Sequence, residues 1–125
     1  MKKIAILFLA LTLGLSSCKK EKDTIANITV KDSTGTKENF TVYMFDETTW
    51  SSIGNDKLFA AKTVVTNANG VAKFNLNDEL DIIDDQTTFY FSVFYTLNGG
   101  TQTFTKFVGV TVEEGDVVDK EILMN

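Results

Sequence analysis

Thr88-Phe89-Tyr90-Phe91-Ser92-Val93-Phe94-Tyr95-Thr96 reads as a strand. Aromatic and β-branched residues fill it; Phe89, Phe91, Val93 and Tyr95 share one face, with Tyr90, Ser92 and Phe94 opposite. The period of two continues outward on both sides. Downstream, Asn98-Gly99-Gly100 closes a hairpin into a strand over 102–108, and Gly109 is expected to bend or bulge that strand before Val110 and Val112. Glu113-Glu114-Gly115-Asp116 turns into a last strand, Val117 to Met124, whose inward face is open between Val118, Ile122 and Met124 on one side and Val117 and Leu123 on the other. Upstream, Ile28 and Val30 alternate with polar residues before a turn at Asp32-Ser33-Thr34-Gly35. Phe40, Val42 and Met44 then alternate with Thr41, Tyr43 and Phe45, a polar loop runs from Asp46 to Lys57, and a third strand spans Ala61 to Thr66. Asn67-Ala68-Asn69-Gly70 is a turn signal, because Asn and Gly tolerate positive φ, and Ala72, Phe74 and Leu76 share one face of the strand beyond it. The acidic loop from Asn77 to Gln86 holds the only helical turn expected, Asp78 to Asp84, where Leu80 and Ile83 stand three apart. About seven strands with turns every ~8–12 residues and no alternating helices predict an all-β domain over 25–125, built as two packed antiparallel sheets in a β-sandwich.

Composition fits one such domain: 125 residues, 43% hydrophobic and 11% aromatic, are enough for a core and too apolar for disorder. Absent residue types limit the chemistry further. The chain has no His, so it has no Ser-His or Cys-His pair and no imidazole relay or ligand. All twelve basic residues are Lys, so no guanidinium fork grips a phosphate or carboxylate.

The N-terminus reads as an address. Met1-Lys2-Lys3 precedes an apolar run from Ile4 to Leu15, and twelve residues of helix reach about 18 Å, short of a ~30 Å bilayer core. That is the pattern of a secretory signal over 1–17. Leu15-Ser16-Ser17-Cys18 resembles the lipobox of bacterial lipoproteins, which implies cleavage before Cys18 and acylation of its thiol and new amino group. The plain alternative is an ordinary cleaved signal beside a chance Cys. Cys18 is the only Cys, so once lipidated it leaves no thiol for catalysis or for a disulfide. Two or three acyl chains anchor stably where one is marginal. Without Lys2 and Lys3, ten Lys stand against seventeen acids, a net charge of −7 that argues against nucleic-acid binding. Lys19-Lys20-Glu21-Lys22-Asp23, within a tether over 18–24, reads as a solvated spacer. It is also similar to the Lys-then-acidic tags that send some lipoproteins to the cell surface, although its lysines are interleaved with the acids. Lys19 stands where an inner-membrane retention signal has Asp, so an outer-membrane location is expected, its face left open.

Ile28-Thr29-Val30-Lys31-Asp32, the strand Val42-Tyr43-Met44-Phe45, and Val65 through Phe74 (VTNANGVAKF) form a series. With the aromatic strand and Lys120-Glu121-Ile122-Leu123, it is similar to transthyretin-like (prealbumin-like) domains, including carboxypeptidase regulatory-like and collagen-adhesin B-type domains. Their Thr-Asp-x-x-Gly-x-x-x-Phe hairpin is matched by Thr66 to Phe74, with Asn67 in place of Asp. The resemblance covers nearly all of 25–124 and implies a Greek-key antiparallel β-sandwich of about seven strands; it says little of activity. It also implies a place for an isopeptide-forming lysine at Lys31. The aromatic strand offers no acid to promote that bond and Asn125 is a poor partner, so an exposed strand-end lysine is the better reading.

Further groups carry chemistry of their own. Asp78, Glu79, Asp81, Asp84 and Asp85 crowd carboxylates into one loop that could ligate calcium, although the spacing is not that of a calcium loop and a solvated acidic loop explains it equally. Trp50 lies in a predicted loop, where an exposed indole would stack on a sugar or anchor a protein, or fold back over an end of the sandwich. Tyr43, Tyr90 and Phe94 lie opposite the core stripes. Together these point to a non-catalytic, lipid-anchored cell-envelope module for protein interaction or structural support. A glycan-binding surface module is the first alternative, and a carboxylate-based hydrolase, needing two facing acids in a cleft, the second.

Overall fold

Strand pairing divides the chain into two four-stranded sheets. The computed structural model describes residues 23–77, 86–97 and 99–124. Its strands are β1 (Ile25–Asp32), β2 (Gly35–Thr36), β3 (Thr41–Asp46), β4 (Lys62–Val65), β5 (Val71–Asn75), β6 (Thr87–Thr96), β7 (Thr103–Val112) and β8 (Val117–Leu123), with a helix α1 (Glu47–Ser52) and a 3-10 turn (Lys57–Phe59) between β3 and β4. In the first sheet β1 is central. β8 lies parallel along one of its edges, while β5 and then β2 run antiparallel along the other. The second sheet has the order β4-β3-β6-β7 and is antiparallel throughout. The all-β, two-sheet architecture read from the periodicity is observed. The expectation of about seven strands in wholly antiparallel sheets is corrected: there are eight strands among the described residues, and β8 joins β1 in parallel.

Alternation decides what lies between the sheets. Ala26, Ile28 and Val30 of β1 meet Val42 and Met44 of β3 and Phe89, Phe91 and Val93 of β6 in one buried cluster. Phe74 of β5 reaches across to Phe91, ring centroids 4.9 Å apart at 64°, an edge-to-face contact of about 0.5–1.5 kcal/mol beyond its buried area. β8, ambiguous by pattern, is settled by its parallel register: Ala26 pairs with Val118 and Val30 with Ile122, so the even positions share β1's inward side. Ile122 is buried and Val117 and Leu123 face solvent.

Local expectations need correction at three places. The segment after Asp46 is a helix and not a loop. The Asp46 carboxylate accepts from the Thr49 amide at 2.7 Å as N-cap, and Gly54, at φ +93°, ends the turn. The turn expected at Asp78 to Asp84 lies outside the described residues. Gly109 makes no bulge: the β6–β7 register runs unbroken through Tyr90↔Gly109, and its missing Cβ makes room for the Tyr90 ring, whose Cε1 would stand 3.0 Å away. Thr66 to Phe74 is not a hairpin between paired strands. Its turn closes locally through Gly70 N–H to Asn67 O and Asn67 N–H to Val71 O, but β4 belongs to one sheet and β5 to the other. Gly70, at φ +77°, is needed there, because a Cβ would fall 2.6 Å from the Cβ of Thr36.

The chain enters the sandwich under restraint. Thr24 is buried; it donates from N to the Asn77 Oδ1 and accepts at O from Leu76 N and at Oγ1 from Gly115 N. Asp23 accepts from the side chains of Asn75 and Asn77.

Candidate functional site

The two outer faces of the sandwich differ in chemistry. On the β1 sheet the outward side mixes polar pairs with the exposed Val117 and Leu123: Asn27 donates to Asp119 at 2.9 Å and Lys31 pairs with Glu121 at 3.1 Å. Lys31 is thus held in a surface ion pair, and Asn125 lies outside the described residues.

On the β3–β6 sheet the outer face is aromatic. Phe45, from the outward face of β3, is fully buried because α1 folds back over it. Trp50 of that helix stacks on Tyr90 at 4.7 Å and 9°, and also contacts Phe45 at 5.3 Å and Phe107 at 4.9 Å. The indole is half-buried over a sheet face and not over an end of the sandwich. Phe107, on the edge strand β7, remains 54% exposed.

The segment after α1 continues as a strap across this face. Asn55 donates to the Thr105 hydroxyl at 2.8 Å, which is 3.2 Å from the buried Ser92 hydroxyl, while Asn55 Oδ1 is buried without a hydrogen-bond partner among the described residues. Asp56 caps the 3-10 turn by accepting from Leu58 N at 3.0 Å. The turn lays the exposed Lys57 over the sheet, its ammonium 5.4 Å from the Phe94 ring centroid, and leaves Leu58 84% and Phe59 50% exposed.

Between strap and sheet opens a cleft of about 240 Å³ lined by Asn39, Phe40, Thr41, Tyr43, Lys57 and Phe94. Tyr43 and Phe94 meet at 5.4 Å and 83°, forming an apolar corner. Thr66 fixes the opposite wall. Its buried hydroxyl donates to Lys37 O at 2.6 Å and accepts from Phe40 N at 2.9 Å, while its carbonyl accepts from Asn39 N at 3.0 Å. Asn39 is held there at φ +64°, a conformation Asn tolerates better than most residues.

A hydroxyl, a carboxylate and an amine also meet at the β1–β2 turn. Asp32 accepts from the Thr34 hydroxyl at 2.6 Å and from the Thr34 amide at 2.8 Å, and lies 3.2 Å from Lys37 Nζ. The Thr34 hydroxyl, the Thr34 amide and then Lys37 lower the Asp32 pKa from 3.8 to about 2. A carboxylate so firmly ionised is a weak base, and the cluster fastens a surface turn.

Leu15, Ser16, Ser17 and Cys18 lie outside the described residues, as do Asp78, Glu79, Asp81, Asp84 and Asp85, the calcium candidates. Among the described residues no group of three or more Cys, Asp or Glu could hold a metal ion. Tyr43, Tyr90 and Phe94 lie opposite the core stripes as the alternation placed them; Trp50, expected in a loop, joins Tyr90 through α1, and Tyr43 meets Phe94 in a separate cluster. Lys57, Asn39 and the strap were not legible as site residues. The bracketing of 47–53 by Asp46 and Gly54 was the available signal for α1. No protein-family model matches the chain, and no curated protein matches it.

Proposed function

We propose that this chain is a lipid-anchored, non-catalytic module of the bacterial cell envelope, a Greek-key sandwich of transthyretin-like type, that docks a protein partner on the aromatic face carrying α1 and the strap. The aromatic cluster beneath α1 and the strap beside it carry this reading: Phe107, Leu58, Phe59 and Ile53 reach solvent around the Trp50–Tyr90 stack, whereas the β1 sheet sets polar pairs beside its exposed Val117 and Leu123. The Greek-key part rests on the family resemblance, because β8 returns beside β1 in parallel whereas a Greek key is antiparallel. The anchor rests on the lipobox-like Leu15 to Cys18 and is compatible with the restraint at Asp23 and Thr24, which leaves four residues of tether, 19–22, with a reach of at most ~15 Å. No helix among the described residues is long and apolar enough to cross a membrane.

Two measurements test the reading. Labelled palmitate should enter the wild-type protein in cells and not a Cys18→Ala variant; equal labelling of both removes the anchor. A photo-crosslinking residue at Phe107 should capture an envelope protein, and one at Lys73 on the β1 sheet should not. Capture from Lys73 alone, or from neither position, defeats the docking face.

A further inference from the structure

We infer that the cleft between the strap and the β3–β6 sheet is a binding site for an acidic sugar, a pyranose bearing a carboxylate such as a uronic acid unit of a polysaccharide. This goes beyond the proposed protein contact, which uses the exposed apolar side chains of the strap and Phe107.

Three properties of the cleft specify the ligand. First, the strands beneath it are interior. The backbone of β3 is paired with β4 and β6, and that of β6 with β3 and β7. The β3–β6 ladder ends at Tyr43↔Ser92, but at the cleft Thr41 keeps Val65 and Phe94 keeps Thr105 as outer partners, so an extended peptide meets no free sheet edge there and recognition falls to ring faces and side-chain polar groups. Second, those groups are the ones a sugar ring needs. Tyr43 and Phe94 give an apolar corner for the C–H face, and Asn39 and Thr41, also in the lining, carry an amide and a hydroxyl of the kind that bonds sugar hydroxyls. A volume of about 240 Å³ suits a single ring, with the polymer leaving through the open side. Third, the charge is specific. Lys57 makes no ion pair among the described residues, yet its ammonium is positioned against Phe94 at the cleft wall, on a chain of net charge −5. An unneutralised cation on an acidic body selects a carboxylate over a neutral sugar. The backbone of 37–40 is fixed before binding by the Thr66 hydrogen bonds to Lys37 O, Asn39 N and Phe40 N, so little backbone ordering cost remains at that wall.

The test is calorimetric or NMR titration of the purified chain with tri-galacturonate, its methyl ester, and a blocked hexaglutamate peptide. Tri-galacturonate should bind saturably below ~1 mM, and methyl esterification or Lys57→Gln should weaken binding by about tenfold or more. Lys73→Gln, on the β1 sheet, should bind as wild type. Because Lys57 is exposed, its replacement leaves the fold intact, and Phe94→Ala, checked for folding by circular dichroism, serves as the second cleft variant. Absence of saturable binding, equal affinity for the methyl ester, an unchanged Lys57→Gln variant, or hexaglutamate binding as tightly as the sugar would each overturn the inference. None of these outcomes depends on Cys18 or on the crosslinks from Phe107.

Discussion

The indole of Trp50 lies parallel to the ring of Tyr90, centroids 4.7 Å apart and planes 9° from parallel, so a six-residue helix is docked onto the sheet by one aromatic stack. None of the helix's residues is fully buried, and an isolated helix of this length does not persist in water. Trp50→Ala should therefore release α1 and uncover Phe45, at a cost of about 2–3 kcal/mol for a half-buried Trp. Urea unfolding followed by circular dichroism measures this. A loss below ~0.5 kcal/mol, the scale of an ordinary surface substitution, would mean that the stack does not hold the helix.

Gly109 depends on the same ring. A methyl group normally favours a strand over Gly, but at Gly109 it would stand 3.0 Å from Cε1 of a Tyr90 ring that Trp50 already holds by stacking. Gly109→Ala should destabilise by about 1 kcal/mol, and the sign should reverse in a Tyr90→Ala background. A double-mutant cycle in denaturant reads the coupling directly; additive effects would refute the contact.

Thr66 and Gly70 join the sheets. Thr66→Val keeps the shape but removes both hydroxyl bonds, orphaning Lys37 O and Phe40 N at a part-buried site, for a loss of about 1–3 kcal/mol; Thr66→Ser should recover most of it. Gly70→Ala should be worse, at about 2–4 kcal/mol, because positive φ adds to an overlap with Thr36 and with the Lys37 backbone nitrogen, 3.1 Å away. Thermal melts of the three variants give the order Ser, Val, then Gly70→Ala as the least stable.

Asp32 sets an acid response. Its folded pKa of about 2 lies below the unfolded 3.8, so the unfolded chain binds the proton first as pH falls. The stabilisation is complete above pH 3.8 and is lost as pH falls toward 2. Wild type should lose stability across that window more steeply than Asp32→Asn, which has no carboxyl to titrate. Parallel acid titrations of the two proteins would contradict this.

The sandwich was legible because alternation is a property of each strand alone. Phe89, Phe91 and Val93, or Val42 and Met44, point inward in any register that buries one face. Helix α1 was not legible because it has one large apolar side chain and no repeat; only its caps, Asp46 and Gly54, mark it. Gly109 was misread for a related reason, since a glycine in a strand signals close approach without saying whether the approaching group is the chain itself or a ring on the next strand.

Sequence by itself determined the class of fold, the inward stripes, the need for Gly at 70, and the exclusions that follow from lacking His and Arg. Tertiary structure alone decided the inward face of β8, the bending of Trp50 onto Tyr90, and the meeting of Lys57 and Asn39 beside Phe94. Local periodicity is written into neighbouring residues, whereas these contacts join residues brought together only when β1 accepts β8 in parallel register and the strap closes over β6.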